Sequence, residues 1–168
     1  MTVPHTIESF RTLLTSALVE TIHRNSEHLR GEKIYGATLV PDPGNLSPWF
    51  GVLDDTDTIG MTPCQRWTPD DFCQPLHTPR LAEVCALTRE LHEAWAGTDE
   101  EWHRASLSAF SGALGADPVR RALGTLGADP ILYIFHDTEC GIEPTTFAAL
   151  NVGRESEPFY RQAAQFLL

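Results

Sequence analysis

The run His136-Asp137-Thr138-Glu139-Cys140-Gly141 holds the ingredients of a thiol nucleophile: an imidazole four residues before a thiol, with carboxylates between them. The thiolate, not the thiol, attacks, so a base such as His136 beside Cys140 is what the chemistry requires, and a carboxylate could orient the ring. Nothing local resembles an established cysteine-hydrolase signature, and His136 and Cys140 can point apart on a turn. A plain strand-to-helix turn is the competing reading.

Cys64, Cys73, His77 and Cys140 form a second set, because zinc accepts thiolate and imidazole in a tetrahedral shell. Structural zinc sites place two ligands two to four residues apart, and only Cys73 and His77 meet that spacing. The expectation is therefore no metal, with the cysteines as buried or half-buried free thiols. Asp54, Asp55 and Asp57, followed by Asp70 and Asp71, group carboxylates that could hold a divalent ion or act as general acid and base. They lack the Gly-centred spacing of a calcium loop, and acids clustered on loops are usually solvated. Trp67 and Phe72 could anchor a partner, since aromatic side chains dominate interface energetics. The stronger reading is that they pin an irregular segment onto the core by burying apolar area. Gly112, Gly115, Gly124 and Gly127 fall at helix ends, not between a strand and a helix, so no phosphate loop and no cofactor is expected.

The elements that must position these residues follow from periodicity. Ile7, Phe10, Leu14, Ala17, Leu18 and Ile22 recur at helical spacing, predicting a helix over residues 4–29 with Thr2 or Val3 near its cap and Gly31 beyond its end. Residues 33–40 and 49–53 read as two strands of an antiparallel hairpin, separated by the Pro41-Asp42-Pro43-Gly44-Asn45 turn cluster, with the register left open. Residues 54–79 have no clear period and read as irregular, with a short strand or helical turn near residues 68–72. Helices are expected from Pro79 to Trp95 and from Thr98, whose capping box with Glu101 opens it, to Leu114. Another short helix, capped by Asp117, runs to Leu126. Residues 131–136 are apolar on both faces and predict a central strand. Residues 144–151 and 155–167 predict two last helices, the second burying Phe159, Ala163 and Phe166. The order is α+β, a small antiparallel or mixed sheet packed by several helices in a single domain, not the alternation of a doubly wound fold.

Totals bound the rest. The 168 residues suit one core, and no apolar run is long enough to cross a bilayer. The first residues lack a basic stretch followed by an apolar one, so a cytoplasmic location with reduced thiols is expected. Twelve Lys plus Arg against twenty-three Asp plus Glu give a net charge of -11, which disfavours a nucleic-acid surface and leaves a basic protein as the fitting partner. Lys33 is the single lysine. That bias toward arginine, with abundant Ala, Gly and Pro, suggests a GC-rich bacterial genome.

The long N-terminal helix, the strand Ile34-Tyr35-Gly36-Ala37-Thr38-Leu39, the segment Arg66-Trp67-Thr68-Pro69-Asp70-Asp71-Phe72 and a late apolar strand leading to Ala149-Leu150-Asn151 together resemble a bacterial family, domain of unknown function 4303. The resemblance spans nearly the whole chain, with Phe72 where the family pattern has tryptophan. It implies no activity, and only a setting in which small immunity-like binders occur. The sequence thus points to a non-enzymatic, immunity-type binding protein, with Asp54, Asp55, Trp67, Asp70, Asp71 and Phe72 as binding candidates. The rival is a thiol-dependent hydrolase using Cys140 and His136.

Overall fold

A computed structural model describes residues 6–55, 60–69, 73–136 and 141–168. The first helix, α1 (Ile7–Arg24), starts where Thr6 and Ser9 exchange backbone and side-chain hydrogen bonds in a capping box. The caps expected at Thr2 or Val3 lie outside the described residues. The helix is also shorter than its periodicity suggests: Asn25 interrupts it, bonding its amide to the Thr21 carbonyl, and a separate turn α2 (Ser26–Leu29) follows. Asn competes well for such backbone groups, which is why it breaks the run.

Strands β1 (Ile34–Val40) and β2 (Trp49–Asp54) pair antiparallel, as expected. Their connection is longer than the five-residue turn cluster. The Asp42 carboxylate accepts the Leu46 and Ser47 amides at 2.7 and 2.8 Å, and Gly44 and Asn45 both take positive φ. The short helix α3 (Pro63–Trp67) and β3 (Gln74–Pro75) occupy the stretch read as irregular, and α3 ends before the turn placed near residues 68–72. Then come α4 (Pro79–Glu93) and α5 (Asp99–Leu114), the latter opened by the expected Thr98–Glu101 capping box. In α6 (Asp117–Gly124) the cap is Ala116 rather than Asp117, which is already helical because Pro118 presets the first turn. Strand β4 (Ile131–His136), β5 (Gly141–Ile142), α7 (Pro144–Leu150) and α8 (Pro158–Ala163) complete the chain with a 3₁₀ turn over Ala164–Phe166.

The strands form one mixed sheet in the order β3-β2-β1-β4-β5, with β1 and β4 parallel. The expectation of an α+β domain with a small mixed sheet holds. Helices cover both faces. Ala37, Leu39, Phe50, Val52, Leu132 and Ile134 face α1, α4, α5 and α6, while Tyr35, Leu53, Tyr133 and Phe135 face Trp67 of α3, Phe147 of α7 and Ala163 of α8. Burial on both faces explains why β4 reads as a continuous apolar run. The register shift between Ile34 and Gly36 puts neighbours Tyr35 and Gly36 on one face. A Cβ on Gly36 would lie 2.7 Å from Leu53 Cδ1 and 3.3 Å from the Trp67 ring, so glycine there makes room for the indole. No helix among the described residues is long and apolar enough to cross a membrane.

Candidate functional site

Trp67 is fully buried in an aromatic cluster, edge-on to Tyr35 at 5.2 Å and to Tyr133 at 5.6 Å. The hydroxyls of Tyr35 and Tyr133 donate to the carbonyls of Arg66 and Trp67, two acceptors that the C-terminus of α3 leaves without intrahelical partners. Burial pushes both phenol pKa values up, so the hydroxyls stay protonated and remain donors. The Trp67 ring is thus a pin between α3 and the sheet, and it presents no face to a partner. This favours the core reading of Trp67 over the anchor reading.

Asp54 and Asp55, at the end of β2, are both engaged within the fold. Asp54 is 5% exposed and accepts from the Gln74 amide at 2.6 Å, while Asp55 pairs with Arg66 at 2.7 Å. Asp54 ties β2 to β3 and Asp55, just after β2, pairs with α3, so neither of these two is a free acid. Asp57, Asp70, Asp71, Phe72 and Cys140 lie outside the described residues. The remaining zinc candidates are spread apart in character: Cys64 is exposed on α3, Cys73 is buried with its thiol donating to the Val52 carbonyl at 3.4 Å, and His77 is exposed after β3. Burial raises the Cys73 and Cys85 thiols to about 12, which makes both inert as nucleophiles. Among the described residues no group of three His, Cys, Asp or Glu side chains could hold a metal ion.

Two features that spacing did not reveal lie on α5 and its approaches. The first is an acidic corner where α4 ends and α5 begins. Glu90, Glu93, Asp99, Glu100 and Glu101 are all exposed there, against Arg89 and Arg104 in the same stretch. Two indoles support the corner. Trp95 packs edge-on to buried Trp102 at 5.7 Å and donates to the Thr98 carbonyl at 3.2 Å. The acids of the first turn of α5 face the positive end of its dipole. The Thr98 amide and hydroxyl bond the Glu101 carboxylate and hold its pKa below the ordinary value.

The second feature is a cleft of about 400 Å³ at the C-terminal end of β4, lined by Glu100, His103, Arg104, Leu107, His136, Glu143, Pro144 and Leu168. His136, at the end of β4, is half-buried and stacks on His103 of α5, with ring centroids 5.7 Å apart. Asn45, 1% exposed, fixes the second ring. Its amide nitrogen lies 3.1 Å from His103 Nδ1 and 3.1 Å from Ser106 Oγ. The Ser106 hydroxyl donates to the Trp102 carbonyl at 2.9 Å, so its oxygen must accept from Asn45. The nitrogen of the Asn45 amide therefore faces α5, His103 Nδ1 accepts, and the neutral ring carries its proton on Nε2. On the opposite wall Glu143 caps α7 by accepting the Thr145 and Thr146 amides at 3.1 and 2.5 Å. Desolvation pulls the Glu143 pKa up, but these hydrogen bonds win and hold it below the ordinary value. A carboxylate with a lowered pKa and two stacked imidazoles thus share one cleft.

The Asn45 and His103 pairing spans 58 residues, and neither sits in a recognisable motif. Only the turn-forming character of Gly44-Asn45 gave a local sign that Asn45 is special. Comparison with protein-family models, with curated proteins and with solved structures finds no match.

Proposed function

We propose that this chain is a non-enzymatic, bacterial, cytoplasmic binding protein of the immunity type that captures a basic protein partner through the acidic corner at the α4–α5 junction. The observation that carries the reading is the exposure of Glu90, Glu93, Asp99, Glu100 and Glu101 together on one corner. Two arginines elsewhere are engaged within the fold. Arg154 is 14% exposed and reaches Glu157, Asp129 and the Pro130 carbonyl, and Arg120 holds the Gly115 and Leu150 carbonyls. Such a surface steers a cationic partner during encounter and discriminates against acidic ones. The resemblance to domain-of-unknown-function family 4303 belongs to the same proposal, since it brings an immunity-like setting and no activity.

The test isolates the protein with its bound partner from its own host and measures affinity for the wild type and for Glu90→Gln/Glu93→Gln/Asp99→Asn. At low salt the triple variant should bind at least about tenfold more weakly, and wild-type affinity should fall as salt rises. Equal affinity for both proteins would refute the proposal.

One observation favours a second reading, the thiol-dependent hydrolase. His136 opens onto a cleft and is stacked on a second imidazole. A catalytic Cys140 should then alkylate faster near neutral pH than exposed Cys64, because its thiolate would be stabilised. Slower labelling of Cys140 than of Cys64 would remove it.

A further inference from the structure

We propose that the cleft between β4, α5 and α7 is a receptor for a single arginine side chain presented by the basic partner. This rests on the binder reading and adds to it the chemistry of the contact. Three properties of the cleft select a guanidinium.

The first is charge. Glu143 is locked as a carboxylate by the Thr145 and Thr146 amides, while Arg104 at the rim is matched to Glu100 at 2.9 Å. Among the described residues lining the cleft, Glu143 is therefore the carboxylate that no arginine or lysine matches. An anion would meet Glu143 and be repelled.

The second is shape and surface. The stacked rings of His103 and His136 offer planar faces, and Leu107, Pro144 and Leu168 give an apolar wall. A guanidinium is planar, weakly hydrated and stacks on aromatic faces, which a compact, strongly hydrated ammonium does not, while its methylene stem covers the apolar wall as a lysine stem also would. The third is the fixed Nε2–H of His103, which lies on the ring edge away from Asn45. It is a donor and so cannot ligate a metal in this tautomer, but it can bond a carbonyl on the backbone that carries the arginine.

The test titrates Nα-acetyl-arginine amide into the full chain and follows the ring signals of His103 and His136 by NMR. Saturable shifts of both rings are expected, with binding at least about threefold tighter than for Nα-acetyl-lysine amide. Glu143→Gln should weaken it about fivefold or more, and so should Pro144→Arg, which places a competing cation at an exposed position on the rim. Should Glu143→Gln fail to fold for want of its cap, Pro144→Arg carries the comparison. Absence of a saturable shift up to about 50 mM, equal binding of the lysine compound, or indifference to a folded variant would each overturn the proposal. The variant Glu90→Gln/Glu93→Gln/Asp99→Asn should keep arginine binding, since none of its positions lines the cleft. Loss of partner binding in that variant therefore reports on the corner, and loss of arginine binding in the cleft variants reports on the cleft.

Discussion

Asn45 is the residue on which the geometry of the cleft depends, and replacing it separates two physical effects. It sits at φ 57 with its side chain buried against α5. Asn45→Ala removes the hydrogen bonds to His103 Nδ1 and Ser106 Oγ, each contributing about 1 kcal/mol net. It also places a Cβ-bearing residue without local hydrogen bonding in the left-handed region, costing about 1 kcal/mol more. The expected loss is about 3 kcal/mol, of which Asn45→Gly should recover about 1 because glycine takes positive φ freely. With a urea slope of about 2 kcal/mol per M, the unfolding midpoint should fall by about 1.5 M for alanine and about 1 M for glycine. The companion measurement is the nitrogen spectrum of the His103 ring, which should show Nε2 protonated in the wild type and lose that bias in both variants. An alanine variant as stable as the glycine one, or a wild-type ring protonated on Nδ1, would refute the reasoning.

Other perturbations have equally definite outcomes. Gly51→Ala should destabilise by about 1–3 kcal/mol in chemical denaturation, since a Cβ would fall 2.2 Å from Cys73 Sγ and 2.9 Å from the Trp49 ring, forcing β2 and β3 apart. In the native protein Cys64 should react with a disulfide reagent far faster than Cys73 and Cys85, and a matched rate for all three would contradict their burial. Cys73 and Cys85 keep their protons in the fold up to about pH 12 but lose them from about pH 9 when unfolded. The unfolded state thus binds fewer protons in that window, and stability should fall with rising pH by up to about 1.4 kcal/mol per unit for each thiol. Replacing both by serine or alanine should make the limb shallower between pH 8 and 10, measured as urea midpoints, while the buried phenols of Tyr35 and Tyr133 sustain it above pH 10. Glu143 behaves oppositely: its depressed pKa contributes stability above the ordinary carboxylate range that is lost as pH falls through it. Glu143→Gln should shallow the acid limb and weaken the α7 cap by about 1 kcal/mol.

Much of the architecture could be read because it rests on local rules. The apolar stripe of α1, the Thr98–Glu101 box that opens α5 and the two-faced burial of β4 are each written within one turn or one strand. What escaped depends on contacts between distant residues. Asp54 and Asp55 look like a loose acidic loop, yet Gln74 and Arg66 draw them inward, and nothing in their spacing announces partners eleven to twenty residues away. The bulge at Tyr35–Gly36 cannot be inferred from alternation, because alternation is what it violates. His136 stood out as a chemical candidate, but its neighbour in the cleft is His103, brought there by the packing of α5 against β4. Spacing does not announce the acidic corner, because Asp99, Glu100 and Glu101 in the first turn of α5 have an adequate local explanation in the helix dipole.

The proposed partner binds at this corner. Hydrogen exchange, compared between the free protein and its complex, tests it most directly. Slowed exchange should concentrate between Arg89 and Leu107, at the end of α4 and the first half of α5, with little change in the backbone of α8. Protection centred on α8 or on the outer edge of β2, with the α4–α5 corner exchanging as in the free protein, would contradict it.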